Sequence, residues 1–122
     1  MTALELITET IDFYSTDTSR RGVTESIHGH ITCSYQSENG NKCAVGRCMT
    51  EDALEKYYDF QNNVEKLPDF ESLLLPQYQG HDIEFWRRLQ RLHDATYNWD
   101  ENGLTTDGQK IVDNLIKTFV EN

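Results

Sequence analysis

Three cysteines, a His-Asp pair and a run of arginines are the residues of this chain whose types could do chemistry. Cys33, Cys43 and Cys48, with His28 or His30 as a fourth donor, match tetrahedral zinc in ligand type. Their spacing does not match it. Nine residues separate the first two cysteines, four separate the next two, and no C-x-x-C occurs, so no metal is expected. Cys43 is also placed to act as a nucleophile, with Gly46 nearby and the charge of Arg47 favouring a thiolate. With His93 as base, a Cys–His–Asp arrangement is conceivable, although no nucleophile-elbow signature surrounds Cys43. Adjacent helical residues point ~100° apart, which sets His93 and Asp94 against converging on one atom. The plain structural reading makes His93 a core imidazole. Arg87, Arg88 and Arg91 read either as a solvated helix face or as an anion-binding patch on an acidic background. Neither G-x-G-x-x-G nor G-x-x-x-x-G-K-[ST] is present, so nucleotide hydrolysis has no support and no cofactor is expected.

These residues depend on the elements that carry them. Residues 2–14 have helical character, with Thr2 and Glu5 at capping-box spacing and Leu4, Ile7, Ile11 and Tyr14 at the helical period. The polar stretch DTSRRGVTES that follows is expected to be a loop. Residues 31–36 carry β-formers, residues 38–41 hold an Asn-Gly turn, and residues 42–45 return, predicting a hairpin. Thr50 is an N-cap for a helix to about Phe60, and Pro68 opens a short helix ending near Leu75. The longest periodic run is 82–99. On it Phe85, Trp86, Leu89, Leu92 and His93 share one arc, Arg87 and Arg91 fall opposite, and Glu84 stands i,i+4 to Arg88. Thr105 caps a last helix striped by Ile111, Val112, Leu115, Ile116, Phe119 and Val120. The aromatic faces, Trp99 among them, fit core packing better than base stacking.

The expected fold is α+β: a single small domain over 1–122, mainly helical, with four to five helices and one β-hairpin. Its 122 residues suffice for one core, and no linker or repeat divides them. The first residues lack the basic and apolar regions of a secretory signal, and no run of apolar residues is long enough to span a membrane. Three thiols are easiest to keep reduced in cytoplasm. A formal charge of −10 repels a phosphate backbone, so direct nucleic-acid binding is not expected. The charge suits a basic partner surface instead.

Cys33-Ser34-Tyr35, the Asn39-Gly40-Asn41-Lys42 turn and the stretch from Cys43 to Cys48 together resemble a pattern in small uncharacterised proteins of bacteriophages and bacterial mobile elements. Leu89-Gln90…His93-Asp94 followed by Trp99 is similar to a later helix of that group. The resemblance spans about two thirds of the chain, residues 33–103. The pattern departs at Cys48, and His28 and His30 have no counterpart in it. The resemblance implies a phage or prophage product acting in the bacterial host cytoplasm, where small phage proteins often interfere with host machinery or defence.

The resulting expectation is a binding protein that occupies a host protein or sequesters a small anionic, nucleotide-like signalling ligand. Tyr35, Lys42, Cys43, Arg47, Trp86, Gln90 and His93 are the expected ligand-binding residues, provided the hairpin packs on the long helix. A small cysteine- and histidine-dependent enzyme is one alternative. A structural or assembly protein without ligand, open to forming a homo-oligomer, is another.

Overall fold

The first helix begins where its capping signal lies. In the computed structural model, which describes residues 1–16, 23–25, 31–33, 41–57 and 66–121, the Glu5 amide donates to Thr2 Oγ1 at 3.1 Å and the Thr2 amide to Glu5 Oε1 at 2.9 Å. This reciprocal box opens α1 (Ala3–Thr16), whose buried residues are Leu6, Ile7, Thr10 and Tyr14. Leu4, expected on that stripe, points outward and is 44% exposed. Hydroxyl caps start two further helices. Thr50 Oγ1 accepts from the Ala53 amide at 3.1 Å ahead of α2 (Glu51–Tyr57). Thr105 Oγ1 accepts from the Gly108 amide ahead of α4 (Thr106–Phe119). Between them, the Asp82 carboxylate caps α3 (Ile83–Asp94) through the Glu84 amide at 2.7 Å.

Two antiparallel ribbons complete an α+β, mainly helical architecture among the described residues. The first pairs β1 (Val23–Glu25) with β2 (Ile31–Cys33), aligning Thr24 with Thr32. Of the expected hairpin, residues 31–33 form a strand, with 34–36 outside the described residues, and their partner precedes them in a stretch read as a loop. The Asn39-Gly40 turn lies outside the described residues. Lys42 occupies an isolated β-bridge position, but residues 43–45 do not continue it as a strand. They lead into a tight helical turn in which the Arg47 amide donates to Cys43 O at 2.9 Å and the Cys48 amide to Val45 O at 2.9 Å. The Val45 amide is taken by a side chain of α3 and so does not donate to a strand ladder.

The second ribbon pairs β3 (Trp99–Asp100) with β4 (Gly103–Leu104). It cuts short the helix expected over 82–99, which stops at Asp94. Its end is held from beyond: Asn98 Nδ2 and Trp99 Nε1 both donate to Leu92 O, at 3.1 and 2.9 Å. Those donors satisfy a carbonyl near the helix end and turn the chain into the ribbon. Residues 68–75, expected to be helical, form only a 3₁₀ turn over Phe70–Leu73. Leu74 then bridges Met49, with the Leu75 amide on Cys48 O and the Thr50 amide on Leu73 O.

One buried apolar cluster joins these parts. α1, α3 and α4 pack on each other, and the 43–49 turn, Leu54, Leu74 and Trp99 close around them. No helix among the described residues is long and apolar enough to cross a membrane.

Gly108 shows how tightly the second ribbon meets α4. A Cβ there would lie 2.5 Å from Asn98 O and 2.6 Å from Leu104 Cδ1. Alanine gains about 1 kcal/mol in helix propensity, but overlap with a backbone oxygen that already accepts the Thr105 amide costs about 1–3 kcal/mol. Gly108→Ala therefore lowers the urea midpoint. An unchanged or raised midpoint would show that the ribbon yields freely.

Candidate functional site

The structure brings most of the expected ligand-binding residues together, as packing rather than as an open site. Tyr35 lies outside the described residues. Cys43, Trp86, Gln90 and His93 are buried, and Lys42 is half-buried with its carbonyl accepting the Tyr14 hydroxyl at 2.6 Å. Gln90 links two segments. Its Oε1 accepts the Val45 amide at 3.0 Å, and its Nε2 donates to Asp94 Oδ1 at 2.6 Å. The same Asp94 oxygen lies 2.8 Å from His93 Nδ1, so the two neighbours do converge. The expectation that helical phasing keeps them apart fails because Asp94 is the last residue of α3, where its side chain can fold back. A carboxylate only accepts, which assigns the proton to Nδ1. The Tyr14 ring meets the imidazole edge-on at 4.8 Å.

The cysteines are engaged inside the core as well. Cys43 Sγ accepts the Gly46 amide at 3.2 Å, and the Cys48 thiol donates to Ala44 O at 3.5 Å. Burial pushes the Cys48 thiol up to about 12 despite the opposing charge of Arg47. A thiol held protonated is a poor nucleophile. Among the described residues no three His, Cys, Asp or Glu side chains gather to hold a metal, and His28 and His30 lie outside them.

Arg47 turns away from α3 toward α1. Its Nη1 pairs with Glu9 Oε1, which also accepts the Tyr78 hydroxyl at 2.8 Å. The rings of Phe13 and Tyr78 cover the guanidinium at 5.5 and 5.7 Å. The side chain is only 13% exposed, and Nε and Nη2 are buried without a hydrogen-bond partner among the described residues. This cation is committed to a carboxylate and two rings, not presented to an incoming anion.

A groove of about 330 Å³ lies instead between α3 and α4, lined by Arg87, Arg88, Arg91, Ile111, Asn114 and Leu115. The arginine spacing follows from the arc that buries Phe85, Trp86, Leu89, Leu92 and His93, which leaves positions 84, 87, 88 and 91 outward. Glu84 sits among them, with Arg87 Nε on Oε2 at 2.8 Å and Arg88 Nε on Oε1 at 3.1 Å. The hydrogen bond from Arg87, opposed by desolvation and joined by Arg88, pulls the Glu84 carboxyl down to about 2. Arg88 is steadied further by the Phe119 ring, 5.6 Å from its guanidinium carbon. Arg91 is exposed and makes no hydrogen bond or ion pair among the described residues. The α4 wall was not expected. Its signal was present, because Asn114 lies one turn from Ile111 with exposed Lys110 and Lys117 flanking it at helical spacing.

The Glu9–Arg47 pair predicts a pH dependence. Burial raises the Glu9 pKa, but hydrogen bonds from Arg47 and Tyr78 and the Arg47 charge outweigh it, so the carboxyl lies below its ordinary value. A lowered folded-state pKa contributes stability that is complete above the unfolded glutamate value of about 4.3. That stability is lost as pH falls through the folded value. Urea midpoints should therefore fall less steeply for Glu9→Gln than for the parent as pH drops below about 4.3 toward the folded value. Identical slopes would show that the pair does not act in stability.

Comparison of the chain with protein-family models, with curated proteins and with solved structures returns no match.

Proposed function

We propose that the chain is a binding protein whose α3–α4 groove takes a small anionic ligand carrying phosphate groups, of nucleotide-like size. One observation carries the reading: Arg88, Arg91 and Asn114 border a single groove in which Arg91 has no acidic partner among the described residues. Guanidinium groups suit phosphate because their fixed fork donates two parallel hydrogen bonds. Ile111 and Leu115 supply an apolar floor, and the volume lies at the small end of ligand sites.

Charge distribution supports the same reading. Arg87, Arg88 and Arg91 at the groove outnumber the one carboxylate among them, Glu84, in a chain of net charge −10. Such a local cationic field focuses a small anion, while the surrounding acidity disfavours a long phosphate backbone. The likeness of the 33–48 segment to bacteriophage proteins supports a setting in the host cytoplasm, where sequestering a signalling nucleotide would blunt a defence response. The enzyme alternative draws little support from Cys43 and Cys48, both fully buried.

Calorimetry with pyrophosphate and with ADP tests the reading. Arg91→Ala and Arg88→Ala should each weaken binding roughly 10-fold or more, the worth of one charge-assisted hydrogen bond. Lys56→Ala, on α2, should leave it unchanged. Equal affinity in Arg91→Ala and the parent would end the proposal, as would binding of a single-stranded oligonucleotide in preference to both small anions.

A further inference from the structure

We infer that the outer face of α1 is a docking groove for a basic amphipathic segment of a partner protein. This surface shares no lining residue with the α3–α4 groove and does not depend on it.

The face is an open, shallow surface bordered by Met1, Leu4, Glu5, Glu9, Asp12 and Phe13 together with Thr8, all on α1 or just before it. Helical phasing gives it an ordered cross-section. At ~100° per residue, Asp12, Glu5 and Glu9 run down the middle, Leu4 lies at one margin and Phe13 at the other. Met1, just ahead of the helix, and Leu4 are 38% and 44% exposed. Burying Leu6, Ile7, Thr10 and Tyr14 fixes the rotation of α1, so the core forces this face outward. Large apolar side chains left exposed together in one groove mark a contact surface more often than scattered ones do.

Charge complementarity selects the occupant. Three carboxylates line the groove against two cations, the Met1 ammonium, which donates to Gln77 O, and Arg47, which lies behind against Glu9, leaving a net negative surface. The Asp12 carboxylate has no partner among the described residues, and Glu9 uses only Oε1 toward Arg47 and Tyr78. A carboxylate has about four acceptor positions, so Asp12 and Glu9 retain capacity for incoming donors. A nucleic acid or an anionic membrane would be repelled here. A segment with Lys or Arg along its centre and apolar residues beside them would match both parts of the groove, and the overall charge of −10 would steer it in. Helix-in-groove recognition of this kind is read through apolar anchors at helical spacing.

The test uses a synthetic amphipathic peptide of leucine and lysine and its leucine–glutamate counterpart, titrated into the full chain and followed by backbone amide resonances. The inference expects the lysine peptide alone to bind, with the largest shifts within α1. Leu4→Ser and Asp12→Asn should each weaken it roughly fivefold or more, while Asp113→Asn, an exposed acid on α4, should not. Equal weakening by Asp113→Asn would reduce the effect to general charge attraction and overturn the inference. Binding of the glutamate peptide would overturn it too. A concentration-dependent dimer of the chain that Leu4→Ser abolishes would assign the groove to a second copy instead.

Discussion

A single side-chain amide, that of Gln90, decides how the two halves of the chain meet. The turn after Cys43 enters the core, where Val45 is fully buried and its amide has no access to water. Gln90 Oε1 takes that amide, and Gln90 Nε2 holds the carboxylate that orients His93. A glutamine suits the position because its two ends satisfy a donor and an acceptor at once. Without it, a buried N–H and a partly buried carboxylate would both lose a partner, and each such loss is expensive in a low-dielectric interior. The Tyr14 hydroxyl on Lys42 O and the Tyr14 ring on His93 extend the same tie to α1.

Once the 43–48 turn is anchored in this way, the surface follows. Arg47 leaves the turn on the α1 side and reaches Glu9 and Tyr78, so the cation nearest the core is already neutralised. The arc of α3 that packs on the turn carries Gln90 and His93 among apolar side chains, and its arginines are left to face α4. The chain thus segregates its charge, with carboxylates along α1 and guanidinium groups between α3 and α4. A net charge of −10 hides both features when charge is counted over the whole sequence.

Local signals were legible wherever a side chain bonds its own neighbourhood. The Thr2–Glu5 box, the Thr50 and Thr105 caps, the buried arc of α3 and the Glu84–Arg88 pair all follow from spacing alone. What the sequence concealed was the choice among distant partners. Residues 42–45 have strand-like composition, but Val45 gives its donor to Gln90, and β2 pairs with β1 upstream. The run from Asp82 to Trp99 stays periodic past Asp94, yet Asn98 and Trp99 turn back onto Leu92 O, and the Asn102-Gly103 step that makes a ribbon possible was overlooked. Of the expected ligand residues, Cys43, Trp86, Gln90 and His93 carry types that suit a site and equally suit a core, and only three-dimensional placement separates the two. The arginine patch was visible as an alternative, but its second wall on α4 needed the packing of two helices to appear.

The amide of Val45 reports on the Gln90 tie directly. Hydrogen exchange measured for the parent and for Gln90→Leu should show a slow Val45 amide in the parent and a much faster one in the variant, with the Leu115 amide in α4 still protected. The variant should also lose about 1–3 kcal/mol of stability, the cost of leaving a buried donor unpaired. A Val45 amide that exchanges freely in the parent, or equally slowly in both proteins, would contradict the account.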